Sequence, residues 1–338
     1  MRLLLVGSTA PWAIEQFYVR YLAEWGVVVE VFDPSAHIEH TLYHRILLRM
    51  GSLQPYKTAN ESLMEAAERF RPDIIWIFKG IEFKPETLNR IKKNGARLVN
   101  YNPDHPYIRT SVSHGGKNVA DCVPLYDLHF CYSRQLAARI EREFNIPASW
   151  LPFGYELSDS DYSRIVNVEE IRRVGFVGNP DRLRARIIHR LGDAGVPVDV
   201  YGYNWKNFIR ENGNIRIYNA IFGDVFWQKL RQYRVQLNIF RPHNAGSHNM
   251  RSFEIPAAGG IMLAPDSPEH RTFFVHGEEA FFYQSEEEIE RYCRELLAME
   301  NVGPIREKAR KRSVSEDYSY RNRARWAYNT FQKPNASL

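Results

Sequence analysis

Apolar and polar positions follow two recurring patterns along the whole chain. Short apolar runs, such as residues 2–7 and 73–78, are typical of buried strands. Longer stretches with an apolar residue every three or four positions, such as 12–25 and 134–144, predict amphipathic helices. Runs and stretches follow one another without the tight glycine turns of hairpins. The pattern predicts an α/β fold with parallel sheets covered by helices.

This alternation occurs twice, on either side of a polar stretch. We expect an N-terminal domain over residues 1–155, a linker over 156–170, a second domain over 171–315, and a C-terminal helix and tail over 316–338. The last helix is predicted to run from 304 to 331 without a break. The predicted strands cover residues 2–7, 27–32, 73–78, 97–101, 128–132, 173–177, 198–201, 215–218, 236–240, 261–264 and 280–283.

Composition supports two folded domains and narrows the ligand. The length of 338 residues suits two cores, and 13% aromatic residues exclude a disordered chain. A net charge of +5 suits a phosphorylated ligand or an anionic surface, and nothing in it requires nucleic acid. The basic cluster at 306–312 has two interpretations, a solvated helix face or a peripheral membrane contact.

The three cysteines have no CxxC spacing, so neither a disulfide framework nor a zinc site is indicated. A reducing cytoplasm is therefore expected, with the inner membrane face as a peripheral location. The N-terminus is interpreted as a first strand and not as a signal peptide. Asp159-Ser160-Asp161 has the form of a DxD metal motif, but it lies in the predicted linker, and we predict no metal.

One stretch, residues 238–266, combines several features of an anion site. An apolar run leads into a polar loop that contains Gly246, and Ser247 is expected to cap the helix that follows. Arg251 carries a guanidinium fork that matches a diphosphate, and Glu254 lies three residues later on the same helix face. The alternative is that these two residues form an ordinary surface ion pair.

Two other strand ends carry candidate chemistry. A turn at Gly178-Asn179 follows the strand 173–177, and Arg182, Arg184 and Arg186 just beyond it suit a diphosphate or a base edge. The alternative is that the arginines here coat a helix face. Asp104 and His105 follow the strand 97–101 and are candidate general bases, unless Asp104 only caps a proline-flanked turn.

The second half resembles the GT-B glycosyltransferases, in particular the CgeB-like spore maturation proteins and bacterial group 1 transferases. The resemblance lies in VGFVGNPDRLRARIIHRL, DVYGYNW, LNIFRP, RSFEIPAAGGIMLAPDSPEHRTFF, GEEAFFYQSEEEIERYCRELL and YSYRNRARW. It implies two Rossmann-like domains that face each other across a cleft, with a C-terminal helix that crosses back to the N-terminal domain. The second domain would bind a nucleotide-sugar donor and the first an acceptor.

The resemblance also implies residue roles. Glu254 corresponds to the acid that holds the donor ribose, and Arg251 lies where the diphosphate and sugar would sit. The loop residues Asn244, Gly246 and Ser247 would lie beside Arg251, and Gly178, Asn179 and Arg182 would help to bind the nucleotide. Retaining members often carry a second glutamate eight residues before the ribose acid, where this chain has Gly246.

The expected activity is transfer of a sugar from a nucleotide diphosphate sugar to a glycan, lipid-linked or small-molecule acceptor. No cofactor and no metal are expected, because arginines and helix N-termini can stabilise the departing diphosphate. Two alternatives remain at this stage. A GT-B-fold epimerase would act on a nucleotide sugar alone, and a non-catalytic carbohydrate-binding or coat-assembly protein would keep only the fold.

Overall fold

The structure, a computed structural model, describes residues 1–39, 41–107, 117–241 and 245–333. It divides into two compact units. Unit 1 comprises Met1–Pro152 together with the C-terminal segment that begins at Tyr320, and unit 2 comprises Phe153–Arg241 and Ala245–Ser319. In the part of the chain that the structure describes, no helix is both long and apolar enough to cross a membrane.

Unit 1 is built on a parallel sheet with the strand order β2-β1-β3-β4-β5-β6. Its strands are β1 (Arg2–Val6), β2 (Val28–Phe32), β3 (Ile74–Phe78), β4 (Arg97–Asn102), β5 (Leu128–Cys131) and β6 (Ala148–Trp150). Its helices in the N-terminal half are α1 (Ile14–Glu24), α2 (Leu42–Arg49), α3 (Lys57–Phe70), α4 (Pro85–Lys93), α5 (Lys117–Cys122) and α6 (Arg134–Phe144).

Unit 2 has a second parallel sheet, with the order β12-β11-β10-β7-β8-β9. The strands are β7 (Ile171–Val177), β8 (Val198–Tyr201), β9 (Ile215–Tyr218), β10 (Tyr233–Leu237), β11 (Met262–Pro265) and β12 (Phe281–Tyr283). The helices are α7 (Asp159–Ile165), α8 (Arg182–Asp193), α9 (Gly223–Gln232), α10 (Arg251–Ala257), α11 (Pro268–Phe273), α12 (Glu286–Ala298) and α13 (Gly303–Ser315). A last helix, α14 (Tyr320–Phe331), belongs to unit 1.

Both sheets are parallel throughout, as the alternation of apolar runs and amphipathic stretches predicts. The interior strands β1 and β3 pair in register, with Leu3 beside Ile74, and their apolar side chains are almost fully buried. In unit 2 the central strands β7 and β10 pair with Gln236 beside Gly175. Counted from its own first strand, the sheet of unit 2 has the order 3-2-1-4-5-6, which is that of a Rossmann fold.

The predicted final helix is wrong in one respect, because two helices replace it. The backbone of Asp317 adopts the left-handed region with φ of 47° and ends α13, since an α-helix needs negative φ. Tyr318 then turns into the interior of unit 2, where its hydroxyl donates to Phe273 O at 3.1 Å. Only after this break does α14 begin.

The helix α14 supplies part of the core of unit 1. Phe331 lies edge-on to Trp76 and Phe130, with ring centroids 5.2 and 5.7 Å apart. Tyr320 stands against Phe17 and Tyr18 on α1, at 5.0 and 6.0 Å. The predicted return of the C-terminal helix to the N-terminal domain is thus confirmed, and aromatic packing holds it there.

The polar stretch 156–170 is also more ordered than a linker pattern suggests. It contains α7, whose N-cap is Ser158, and the Ser158 side chain accepts from Asp161 N. Glu170 at its end pairs with the buried Arg234 and Arg306. Arg234 lies inside β10, so this strand begins three residues before the predicted position because a paired, buried arginine interrupts its apolar pattern.

We predict that Phe331→Ala destabilises unit 1 by about 3–5 kcal/mol, because it removes a ring from a packed core and leaves a cavity. Thermal unfolding of the full chain measures this. Asn329→Ala on the exposed side of the same helix is the control and should change stability by about 0.5 kcal/mol or less. Equal melting temperatures for the two variants would contradict the role of α14 in this core.

Candidate functional site

The strand order of unit 2 places a switch point between β7 and β10. The chain leaves β7 toward one side of the sheet and leaves β10 toward the other, so the loops after these strands diverge and open a crevice. Val177 ends β7, and Ile239 lies just after β10. The candidate site is built on the backbone carbonyl groups of these two residues.

Arg184 is the first side chain fixed there. Its guanidinium donates to Ile239 O through Nη2 at 2.8 Å and to Asn179 O through Nη1 at 3.0 Å. The side chain is only 11% exposed. Burial lowers the pKa of Arg184 to about 10, with Asp181 opposing the shift and the neighbouring Arg241 and Arg251 adding to it. It remains a cation at neutral pH.

Arg251 is the second. Its Nε donates to Val177 O at 3.2 Å, its guanidinium lies 4.5 Å from the centre of the Phe226 ring, and it pairs with Glu254 one turn along α10. Glu254 is buried, with 6% of its surface exposed. Burial raises the pKa of Glu254, and Arg251 opposes the shift. The interpretation as an ordinary surface ion pair is therefore wrong.

Three arginines thus concentrate positive charge at the switch point. Arg184, Arg241 and Arg251 lie close enough for the last two to depress the pKa of the first. Like charges brought together at the edge of a low-dielectric interior repel, and an anion between them relieves the repulsion. Arg184 and Arg251 each donate some of their guanidinium N–H groups to backbone carbonyl oxygens. Their positions are therefore fixed before any ligand binds.

The loop before α10 differs from the prediction at its cap. Gly246 has φ of 78°, a left-handed conformation that glycine adopts without strain, as its place in the loop suggests. Ser247 does not cap α10, because the helix begins at Arg251, four residues later. Met250 holds the N-cap position without a side-chain hydrogen bond, and Asn249 just before it bonds the first turn: its Oδ1 accepts from Ser252 N at 3.2 Å, while Ser252 Oγ accepts from Asn249 N at 3.1 Å.

Ser247 belongs to a buried polar cluster beneath the loop. Its hydroxyl donates to Glu269 Oε2 at 2.6 Å, and His248 Nδ1 lies 2.6 Å from the same oxygen. His248 Nε2 accepts from Phe153 N at 3.2 Å, which leaves the proton on Nδ1, facing the carboxylate. Because its hydroxyl is bonded inside this cluster, Ser247 anchors the loop to the protein interior.

A cleft of about 410 Å³ lies at the ends of β8 and β9. The turn at Gly178-Asn179 connects it to Arg184, which donates to Asn179 O. Gly178 O accepts from the Trp205 ring nitrogen at 2.9 Å, and Asn179 Oδ1 accepts from Tyr203 N at 3.0 Å. Residues lining the cleft are Gly202, Asn204, Trp205, Lys206, Asn207, Ile217, Tyr218 and Asn219.

In unit 1, Asp104 lies at the carboxyl edge of the sheet. Its carboxylate is 2.9 Å from Lys79 Nζ, and Lys79 follows β3 with a left-handed φ of 58°. This backbone conformation is uncommon outside glycine and is found preferentially at functional sites. His105 is its neighbour in a turn where Nδ1 accepts from Tyr107 N at 3.2 Å.

Two further carboxyl groups at this edge were not expected from the sequence. Burial raises the pKa of Glu15, which accepts from Ser8 N, and burial raises the pKa of Glu82 to about 7. The charge of Lys79 lowers the pKa of both groups, and that of Asp33 raises it. Neither belongs to a motif, because they come from a helix and a turn that only the sheet brings together.

The structure brings some of the residues predicted to bind the donor together and leaves others apart. Gly178, Asn179, Arg251 and Glu254 converge at the switch point of unit 2. Arg182 begins α8 with an exposed side chain, and Asn244 lies outside the described residues. Of the three arginines expected to suit a diphosphate, it is Arg184 that reaches the strand ends, and helical spacing is consistent with this, since it precedes the buried Ile188 and Leu191 by one and two turns.

The two remaining motifs prove to be structural contacts. In the DxD triplet, Asp159 pairs with Arg310 and Asp161 with Arg164. In the basic cluster 306–312, Arg306 and Arg310 are buried and donate to backbone carbonyls of unit 2. Lys308 and Arg312 pair with glutamates of the loop before β12. Much of the charge of this cluster is thus neutralised within unit 2.

Comparison with known proteins bears on the second half of the chain and on the fold. Residues 182–327 match a family model described as glycosyl transferase-like, which covers the α8 arginines, the cleft and α10. The prediction of a glycosyltransferase is confirmed, whereas the comparisons do not single out the CgeB-like subgroup. No curated protein matches the chain.

Solved structures share the fold over nearly the whole chain. Sucrose-phosphate synthase from Thermosynechococcus elongatus aligns with a TM-score of 0.73 at 12% identity and covers 98% of both chains. HepE from Anabaena, in complex with UDP and glucose, aligns at 0.68 and 13%, covering 98% of this chain and 99% of its own. A trehalose-6-phosphate protein of E. coli bound with UDP-2-fluoro glucose aligns at 0.68 and 10% over 100% of both. The predicted GT-B fold is confirmed.

A buried histidine next to the site makes stability depend on pH. His270 Nδ1 donates to Pro265 O, and Nε2 accepts from Ser252 Oγ. Burial lowers the pKa of His270 to about 4. Because this folded pKa lies below the unfolded value of about 6.5, the unfolded chain binds more protons between them, and stability falls as the pH drops through this window.

We therefore predict that His270 removes about 2 kcal/mol of stability between pH 7 and pH 5. In urea unfolding, the difference between His270→Gln and the wild type should shrink by that amount on going from pH 7 to pH 5. The exposed His189, varied to Gln, is the control and should leave the pH dependence unchanged. A constant difference for His270→Gln would contradict the assignment.

Proposed function

We propose that this chain transfers a sugar from a nucleotide diphosphate sugar to a carbohydrate, lipid-linked or small-molecule acceptor. The observation that carries the proposal is the convergence of Arg184, Arg241, Arg251 and the buried Glu254 at the switch point of unit 2. Solved structures of the same fold support it, since HepE contains UDP and glucose. UDP is accordingly the first nucleotide to test.

The charges suit the two halves of such a donor. Guanidinium groups bind phosphate oxygens through two parallel hydrogen bonds, so Arg184 and Arg251 are assigned to the diphosphate. The carboxylate of Glu254 can accept hydrogen bonds from hydroxyl groups and is assigned to the ribose. Burying an ion pair usually costs more than burying apolar side chains of the same size, so stability alone does not explain Glu254 and Arg251. A role in binding explains why a carboxylate is kept there.

The nucleoside is assigned to the cleft beside Trp205 and Tyr218. The Gly178-Asn179 turn lies between this cleft and Arg184, which matches the order of base, ribose and diphosphate in the donor. A side chain at Gly202 would collide with Gly178 O at 2.4 Å, so this turn can approach closely only because the residue is glycine.

The arginines would also act on the reaction itself. When the bond between sugar and diphosphate breaks, negative charge builds up on the leaving phosphate. Fixed guanidinium groups stabilise this charge without having to reorganise, which is the role that a divalent ion has in other transferases. A metal-independent reaction is thus part of the proposal. Asp104 is the proposed base toward the acceptor hydroxyl, held in place by Lys79.

Product analysis tests the proposal as a whole. Incubation with UDP-glucose and a panel of sugar acceptors should yield a new glycoside and UDP, in the presence of a chelator as well as in its absence. An altered nucleotide sugar without acceptor would instead indicate epimerisation. Binding of nucleotides without any product would indicate a carbohydrate-binding protein.

We predict that Arg184→Ala, Arg251→Ala and Glu254→Ala each weaken UDP binding by about 1.5–3 kcal/mol, because each removes a charged hydrogen-bond partner of the nucleotide. Isothermal titration calorimetry measures the affinity. Arg186→Ala is the matched control, two residues from Arg184 on the same helix but 66% exposed and paired with Glu286. Wild-type affinity for UDP in all three variants would contradict the donor-site assignment.

Asp104→Asn should lower turnover by about 10²-fold or more and leave UDP affinity within about twofold, because a general base acts on the acceptor in the transition state. Asp121→Asn on the exposed surface of α5 is the control. Steady-state kinetics with saturating donor separates the two effects. Turnover equal to that of the control would exclude Asp104 as the base.

A further inference from the structure

One surface of unit 1 has no explanation in the proposed donor or acceptor chemistry. Leu42, Tyr43, Ile46 and Met50 are between 45% and 77% exposed, and all four belong to α2 or to the residue that ends it. Large apolar side chains are often exposed singly, but a contiguous group commonly marks an interaction site. We call these four side chains together with Arg49 the outer face of α2.

Helical geometry makes this face continuous. With about 100° of rotation per residue, Leu42, Ile46, Arg49 and Met50 fall within one arc of about 100°, and Tyr43 extends it slightly. Leu48 lies on the opposite side of the helix and Leu47 on its flank, and both are partly buried. Strongly apolar residues therefore occupy the exposed side of α2 as well as its partly buried side.

Charge indicates what covers this face. The sequence of α2, LYHRILLR, contains two arginines, a histidine and no carboxylate, and Arg49 stands at the edge of the apolar arc. An apolar helix face bordered by arginine suits a layer of anionic lipid headgroups, because the apolar side chains enter the acyl boundary while the guanidinium stays among the phosphates. The net charge of +5 acts in the same direction.

A second copy of the chain fits the face less well. An eight-residue helix is about 12 Å long and about 10 Å wide, so its outer face offers on the order of 100 Å². A stable dimer buries about 800 Å² on each partner.

We propose that the outer face of α2 is a membrane-contact surface that binds anionic phospholipid. This differs from the contact expected at the basic cluster 306–312, where much of the charge is paired or buried. The surface lies in unit 1 and involves none of the residues assigned to the nucleotide. Membrane binding and nucleotide binding can therefore be measured independently.

A fluorescent probe on α2 tests the insertion directly. The three cysteines of the chain are all buried, so Ile46→Cys provides one accessible thiol for an environment-sensitive label. Its emission should shift to the blue on addition of vesicles that mix phosphatidylcholine with phosphatidylglycerol, and much less with phosphatidylcholine alone. The same label at Val314→Cys, an exposed position on α13, should not respond. A response at Val314 only would overturn the proposal.

Vesicle co-sedimentation tests the apolar side chains. Leu42→Ser/Met50→Ser should weaken binding to the mixed vesicles by about tenfold or more, since apolar contacts contribute much of the affinity of interfacial helices. Val314→Ser should bind like the wild type, and circular dichroism and UDP titration should show that both variants remain folded. Three results would contradict the proposal: no binding by the wild type, undiminished binding by the double variant, or a wild-type dimer in sedimentation analysis that the double variant loses.

Discussion

The candidate site depends on the hydrogen bonds between two arginines and backbone carbonyl groups at or just beyond the ends of two central strands. Ile239 O holds Arg184 and Val177 O holds Arg251. A carbonyl at the end of a parallel strand has no partner within the sheet, so it must find a donor or remain in contact with water. The arginines satisfy this need and in return are fixed at the crevice. The same hydrogen bonds thus satisfy the carbonyl groups at the strand ends and hold the positive charges of the site in place.

The protein interior under this contact is polar but closely paired. Asn238 and Asn249 exchange amide hydrogen bonds at 3.0 and 2.8 Å, which ties the end of β10 to the cap of α10. Next to them, His270 bonds Ser252, and Glu269 accepts from Ser247. Buried polar groups are costly unless satisfied, so such a network favours one arrangement of the loop over its alternatives. This hydrogen-bond network therefore also sets the position of Arg251, the first residue of α10.

The two units use similar sheets for different chemistry. The crevice edge of unit 2 is cationic, whereas the corresponding edge of unit 1 carries Glu15, Asp33, Glu82 and Asp104 around Lys79. Carboxylates bind sugar hydroxyls well and repel phosphates. The proposed division, with donor phosphates in unit 2 and acceptor hydroxyls in unit 1, follows from the signs of these charges.

The sequence by itself determined the alternation of strands and helices, the parallel sheets, the doubling of the α/β pattern and the position of Arg251 and Glu254 on one helix face. These features are local, because period and spacing are properties of neighbouring residues. Only the tertiary structure decided that Glu254 is buried, that Arg184 and not Arg182 reaches the strand ends, that Ser247 faces inward, and that Asp317 separates α13 from α14. Those outcomes depend on which distant segments meet, such as Ser247 with Glu269, and burial and charge partners across such distances leave no periodic signal in the chain.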